Sequence, residues 1–128
     1  MILDTPVLVD IDRGAKKEKI EKLEEESPHS VSSVIKTELY TGANLREKTD
    51  FKSLRQLLSP FNEVALEQEI AEKAGELIAR KRKEDLPIGL NHIYIAATAI
   101  QEDKKLLTQD TEDFQQIKEL EVKNWHNY

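Results

Sequence analysis

The sequence contains no cysteine, and this absence removes several kinds of site at once. Disulfide bonds, thiolate zinc sites and cysteine nucleophiles are all excluded. Aromatic residues make up only 5% of the 128 residues, so the core must be built mainly from aliphatic side chains. No apolar run approaches the roughly 18 residues that a membrane span requires. Because Met1 leads directly into apolar residues, we expect a cytoplasmic protein without a signal peptide or membrane association.

Charge is abundant, and negative charge predominates. Charged residues make up 34% of the chain, and the formal net charge is -6. An acidic protein is not expected to hold nucleic acid through a sequence-independent basic surface. An enzyme that acts on nucleic acid stays possible, because metal ions neutralise acidic side chains. The length suits one domain with one core, and we expect a single domain over residues 1–128.

The first residues predict how the chain is organised. Ile2 and Leu3 form a short apolar run, which is typical of a buried strand in a parallel sheet. The residues Asp4-Thr5-Pro6 then predict a sharp turn into a helix from about residue 7. Asp4 would stand at the carboxyl end of the strand, the edge where ligands bind in open α/β sheets. The simpler role for Asp4 is to cap the helix.

Short apolar runs alternate with helical patterns along the rest of the chain. Further strands are expected at 30–32, 61–66, 106–108 and 120–122. Helices are expected at 15–26, from Ser33 as N-cap to 42, at 44–58, 67–83 and 90–101, and in a short stretch before 114. His29 follows a proline and is expected in a surface loop without a functional role. The alternation predicts a three-layer α/β/α domain with a mainly parallel sheet of four or five strands.

Four polar residues are expected to meet at one edge of this sheet. Asp4 and Asp110 each follow a predicted strand, Glu38 lies early in the helix after the second strand, and His92 begins the 90–101 helix. Carboxylates gathered in one cleft repel one another, and a divalent cation relieves that repulsion. Mg²⁺ and Mn²⁺ take oxygen ligands, and a metal-activated water attacks phosphodiesters. The pattern therefore suggests metal-assisted phosphodiester hydrolysis.

Several segments together resemble one protein family. They comprise residues 1–14, 32–43, 88–99 and 106–114, followed by the ending Val122-Lys123-Asn124-Trp125. In this order they resemble the PIN-domain family, and specifically its VapC-type toxins of toxin–antitoxin pairs. The resemblance implies a Mg²⁺- or Mn²⁺-dependent endoribonuclease that cuts cellular RNA. It further implies neutralisation by a cognate VapB-type antitoxin and a homodimer.

The resemblance also assigns roles by position. It implies that Asp4, Glu38 and Asp110 are the catalytic carboxylates that bind the metal and activate water, with Asp113 as an outer member of the cluster. It implies two supporting residues as well: Thr5 would orient Asp4, and Thr108 would support the fourth motif through hydrogen bonds.

One position departs from the family pattern, because His92 stands where the third motif normally has an aspartate. An imidazole can bind a metal but supplies no negative charge, and it favours softer cations than Mg²⁺. The site would then be weakened but active, with a preference for Mn²⁺. Alternatively, the protein is an inactive PIN-domain binding module that acts through antitoxin or RNA. As a third alternative, Asp85 substitutes for the missing acid, and a non-ligand role for His92 such as helix capping also stays open.

Overall fold

In the computed structural model, which describes residues 1–47 and 50–128, one five-stranded sheet carries the fold. The strands lie in the order β3-β2-β1-β4-β5, and all their pairings are parallel. Their bounds are β1 (Ile2–Leu3), β2 (Ser30–Ser32), β3 (Asn62–Val64), β4 (Leu106–Thr108) and β5 (Val122–Asn124). The prediction of a parallel sheet of four or five strands is therefore confirmed.

Helices connect the strands and flank the sheet, as the predicted α/β/α arrangement requires. Their bounds are α1 (Thr5–Asp12), α2 (Lys17–Glu25), α3 (Ser33–Asn44), α4 (Phe51–Leu58), α5 (Gln68–Glu84), α6 (Leu90–Gln101) and α7 (Thr111–Phe114), with a 3₁₀ turn at Trp125–Asn127. Within the described residues, no helix is both long and apolar enough to cross a membrane.

The central strand β1 determines where the site forms. It pairs with β2 on one side and with β4 on the other, and both of its side chains are fully buried. The Asp4 amide continues the pairing by donating to the Leu107 carbonyl over 3.0 Å. Parallel pairing brings the carboxyl ends of β1 and β4 together, so the residues that follow the two strands share one edge of the sheet.

The core is aliphatic, as the composition requires. Helix α6 buries a row of branched and small side chains: Ile93, Ile95, Ala96, Ala97 and Ala99. Two aromatic residues, Phe114 and Trp125, are also buried. Since alanines leave room for close approach, α6 packs closely against α5, and its buried side chains belong to the same core as those of the strands. The predicted bounds of this helix, 90–101, are confirmed.

Several predicted boundaries are wrong in position, and local contacts explain three of them. The expected helix at 44–58 starts only at Phe51, because Asp50 accepts a hydrogen bond from the Ser53 amide and caps α4 there. Residues 48 and 49 of that prediction lie outside the described residues. The N-cap of α3 is Ser32, whose hydroxyl accepts from the Ile35 amide, and not Ser33. The last strand lies at 122–124 rather than 120–122, because Val122 is the residue that pairs with Leu106.

The expectation of a surface position for His29 is wrong. This side chain is 3% exposed, since it immediately precedes β2 beside the central strand. Its Nε2 lies 2.6 Å from the Leu23 carbonyl oxygen, and its Nδ1 lies 3.0 Å from the Met1 amino nitrogen. Burial lowers the pKa of His29 below its ordinary value. This histidine therefore belongs to the packed interior.

Candidate active site

Asp4 is the most enclosed acid of the site, with 1% of its surface exposed. Its Oδ1 accepts from the Thr5 amide over 2.9 Å, which caps α1. Its Oδ2 accepts from the Thr108 hydroxyl over 2.6 Å. Asp4 also lines an open cleft at the sheet edge. The carboxylate that caps α1 also lines the cleft, so the two roles that the sequence left as alternatives do not exclude each other.

Thr108 connects the ends of two strands through a single hydroxyl group. Besides donating to Asp4, its Oγ1 accepts from the Asp110 amide over 2.9 Å. Thr108 is completely buried at the end of β4, so water cannot replace either partner. The position of the Asp4 carboxylate and the start of the loop that carries Asp110 therefore depend on each other.

Glu38 reaches the same edge from α3. Its Oε1 accepts from the Thr5 hydroxyl over 2.8 Å. Thr5 thus holds two acids by different groups: its amide contacts Asp4 and its hydroxyl contacts Glu38. With one Glu38 oxygen occupied in this way, the other oxygen is left for a ligand or a water.

Burial dominates the electrostatics of Asp4. Desolvation raises the pKa of this carboxyl above its ordinary value, and the nearby charge of Glu38 raises it further. The hydrogen bonds from Thr108 and Thr5, together with His92, act in the opposite direction. A carboxylate held in such a place is costly to ionise, and a bound cation would offset that cost.

A second group of ligand atoms lies on α6 and around α7. The His92 Nδ1 is 3.0 Å from Asp113 Oδ2, and its Nε2 is 3.7 Å from Asp110 Oδ2. The ring of His92 also contacts Phe114, with 4.6 Å between the ring centroids. One donor atom from each of His92, Asp110 and Asp113 lies within 4.8 Å of the others. This trio could hold a metal ion.

The two groups meet at the cleft, which has a volume of about 480 Å³. Its walls include Asp4, Glu38 and His92, so the residues that the sequence placed at one edge do converge. Asp110 and Asp113 adjoin it through their contacts with His92. By contrast, Asp85 ends α5 in a left-handed conformation with φ of 52°, and it does not line this cleft.

Sequence reasoning missed three polar residues that line the cleft: Asp10, Arg13 and Gln109. Asp10 and Arg13 follow Pro6 at intervals of four and seven residues, the spacing of one helix face. Since Asp4 precedes α1 directly, that periodicity was a usable signal. Gln109 lies between Thr108 and Asp110 and offered no separate pattern.

Comparison with known proteins identifies the family of this chain. The sequence profile of the PIN domain matches residues 1–120, and the chain belongs to the PIN domain family. It is 30% identical over 128 residues to a ribonuclease VapC of Rickettsia bellii (strain RML369-C), covering 95% of this chain and 93% of that protein. It is 29% identical over 122 residues to ribonuclease VapC10 of Mycobacterium tuberculosis (strain CDC 1551 / Oshkosh), covering 94% and 90% respectively.

Solved structures share the fold over nearly the whole length. The crystal structure of VapBC2 from Rickettsia felis, bound to a DNA fragment from its promoter, superimposes with a TM-score of 0.89 at 26% identity and 97% coverage of both chains. DNA-bound VapBC from Salmonella typhimurium gives a TM-score of 0.88 at 20% identity, covering 97% of this chain and 96% of that one, and supports the fold alone. The family resemblance of the sequence motifs is therefore confirmed.

Proposed function

We propose that this chain is a metal-dependent endoribonuclease toxin, which hydrolyses RNA phosphodiester bonds and is neutralised by a cognate VapB-type antitoxin. The observation that carries the proposal is the bonded series from Glu38 through Thr5 to Asp4, and from Asp4 through Thr108 to the Asp110 amide. It links two acid side chains and the backbone of a third acid, from three parts of the chain, at one edge of the sheet. The relatives named ribonuclease VapC, and the VapBC complexes that share the fold, support the same function.

The donor set fits a divalent cation. Carboxylate oxygens and one imidazole nitrogen gather at the cleft, and Asp4 is buried where its charge needs compensation. We propose Asp4, Glu38 and Asp110 as the metal-binding acids, with Mg²⁺ or Mn²⁺ as the ion. When bound, the cation supplies positive charge beside the phosphate and makes a water more acidic.

The protein's own residues orient the reactants. Thr5 and Thr108 fix the directions of the Glu38 and Asp4 carboxylates, so little reorganisation is needed during reaction. Glu38, held through Oε1, keeps Oε2 as an acceptor for the proton of the attacking water. Arg13, on the cleft wall, offers a guanidinium to an RNA phosphate.

The partners follow from the same assignment. We propose a VapB-type antitoxin as the protein that covers this site, because solved relatives of this fold are toxin–antitoxin complexes. A homodimer and a single domain over residues 1–128 stay predictions of the sequence.

The test is cleavage of a mixed RNA pool by the purified protein, with Mg²⁺, with Mn²⁺ and with EDTA. The Asp4→Asn variant, prepared identically, reports any contaminating nuclease. Cleavage that requires both the metal and Asp4 would support the proposal. Full cleavage by the variant, or cleavage in EDTA, would refute this mechanism.

A second candidate is an inactive binding module, and His92 at the usual aspartate position favours it. This candidate predicts no cleavage by folded wild-type protein with either ion, together with retained binding of the antitoxin or RNA. The His92→Asp variant separates the two functions. If the variant cleaves RNA while the wild type does not, the natural protein is the binding module.

A further inference from the structure

The hydrogen bond with Asp113 selects the tautomer of a neutral His92 ring. Nδ1 lies 3.0 Å from Asp113 Oδ2, a normal hydrogen-bond distance. An ionised carboxylate only accepts hydrogen bonds, so Nδ1 carries the proton and donates it. In a neutral imidazole the other nitrogen, Nε2, then bears a free lone pair. Asp113 thereby leaves Nε2 as the ligand atom.

Nε2 faces a second acid, Asp110, at a distance too long for a hydrogen bond. It lies 3.7 Å from Asp110 Oδ2, beyond the range of a hydrogen bond. Nitrogen and oxygen ligands bind first-row metals at about 2.0–2.2 Å, so two ligands of one ion lie roughly 3 to 4 Å apart. The spacing between Nε2 and Asp110 therefore suits two ligands that share an ion.

The ring is also held in place by packing. His92 lies in the first turn of α6, its side chain is 25% exposed, and its ring tilts at 38° against the Phe114 ring. Phe114 itself is fully buried. With Asp113 on one ring edge and Phe114 against the ring, the direction of Nε2 is constrained before any ion arrives.

We infer that His92 binds the cation of the proposed nuclease site through Nε2, beside Asp110, and that Asp113 is a positioning residue rather than a ligand. This inference rests on the proposed function. An imidazole ligand suits first-row transition ions, whereas Mg²⁺ retains a strong preference for oxygen. The site accordingly prefers Mn²⁺ and the heavier first-row transition ions over Mg²⁺. Histidine at position 92, where the family pattern has aspartate, therefore changes the metal preference of the site and does not abolish metal binding.

Binding of Mn²⁺ tests this inference without depending on catalysis. Free Mn²⁺ is measured by electron paramagnetic resonance during titration, with Mg²⁺ as competitor, and pulsed spectra report ¹⁴N coupling to the bound ion. Wild-type protein should show ¹⁴N coupling and should prefer Mn²⁺ over Mg²⁺ by more than about tenfold. His92→Asp, or His92→Gln if that variant misfolds, should lose the coupling. His92→Asp should also bring the two affinities closer together.

Two Asp113 variants separate positioning from ligation. In Asp113→Asn the amide oxygen still accepts from Nδ1, so Mn²⁺ affinity and ¹⁴N coupling should be largely kept. In Asp113→Ala no acceptor remains, and affinity should fall about 10- to 100-fold. An equal, large loss in both variants would overturn the positioning role. His126→Gln, at an exposed histidine, is the control and should keep the coupling.

The failure of this inference is distinguishable from failure of the proposed function. Mn²⁺ binding without ¹⁴N coupling, accompanied by metal-dependent cleavage, would refute the His92 ligand and keep the nuclease. Coupling without any RNA cleavage would support the ligand assignment and contradict the nuclease. Absence of Mn²⁺ binding to folded protein would overturn both.

Discussion

The hydroxyl of Thr108 donates to the Asp4 carboxylate over 2.6 Å, across 104 residues of sequence. The same oxygen accepts from the Asp110 amide. Two acids of the site therefore depend on one buried hydroxyl group. This dependence explains why a threonine ends β4, since valine would fill the same volume but remove one hydrogen bond from each partner.

Replacement of Thr108 should consequently affect both folding and catalysis. Thr108→Val leaves a buried carboxylate and a backbone amide with one partner fewer, which should lower the free energy of unfolding by about 1–3 kcal/mol. RNA cleavage should fall as well, because Asp4 loses its alignment. Chemical denaturation and cleavage rates measure the two effects. Thr108→Ser keeps the hydroxyl and serves as the control, and a Val variant that matches the Ser variant in both measurements would contradict the prediction.

The Asp4→Asn variant should lose cleavage and yet gain stability at neutral pH. Burial raises the pKa of Asp4 above 3.8, so the folded protein favours the protonated carboxyl. The contribution of Asp4 to stability is therefore fully present below the pKa that Asp4 has in the unfolded chain. It is lost as the pH rises through the higher pKa that Asp4 has in the folded protein. Asparagine cannot ionise and avoids this loss. Denaturation at several pH values without metal should show an advantage for the variant that grows with pH. A constant difference would contradict this account.

His29 should make the protein less stable in mild acid. Burial lowers its pKa below the ordinary 6.5, so below that pH the unfolded chain binds a proton that the folded protein resists. The contribution of His29 to stability is thus lost as the pH falls from 6.5 towards the folded pKa. His29→Gln should flatten the dependence of unfolding free energy on pH between 7.5 and 5. His126→Gln, at an exposed position, should leave the wild-type slope unchanged.

Trp125 connects the 3₁₀ turn at Trp125–Asn127 to α1. Its indole nitrogen donates to Asp10 Oδ2 over 2.7 Å, and the Lys19 ammonium lies 4.6 Å from the ring centroid. Trp125→Phe removes the donor and should lower the free energy of unfolding by about 1–3 kcal/mol, measured by circular dichroism. Asp10→Asn keeps an acceptor oxygen and should lose less. An equal loss in the two variants would mean that the hydrogen bond is not what stabilises this contact.

The sequence predicted best where one local pattern decides the structure. The apolar runs at Ile2–Leu3 and Leu106–Thr108 are strands that are buried throughout. The apolar pattern of α6 likewise predicted that helix with its correct ends. The start of α4 was missed because the Asp50 cap was not recognised, although Ser53 lies at the spacing that capping requires. The burial of His29 follows from the enclosure of β2 in the sheet, which no local pattern encodes.

For the site, as for the fold, the sequence predicted what local patterns decide and missed what tertiary packing decides. Strand ends and motif order placed Asp4, Glu38, His92 and Asp110 at one edge of the sheet. The particular pairings, Thr5 with Glu38 and His92 with Asp113, depend on how α1, α3, α6 and α7 are oriented relative to one another. Side-chain directions of this kind arise from tertiary packing and are not contained in residue spacing.

The position of β1 between β2 and β4 has a consequence for synthesis on the ribosome. Of the five strands, β1 is made first, but its neighbour β4 is complete only after residue 108 has been made. Until then Asp4 lacks the Thr108 hydroxyl, and Asp110 and Asp113 do not yet exist. A nascent chain that has not passed residue 113 therefore cannot carry the complete set of acids, and the site forms only after β4 and α7 have been made. For the ribonuclease proposed above, that order would keep unfinished chains inactive.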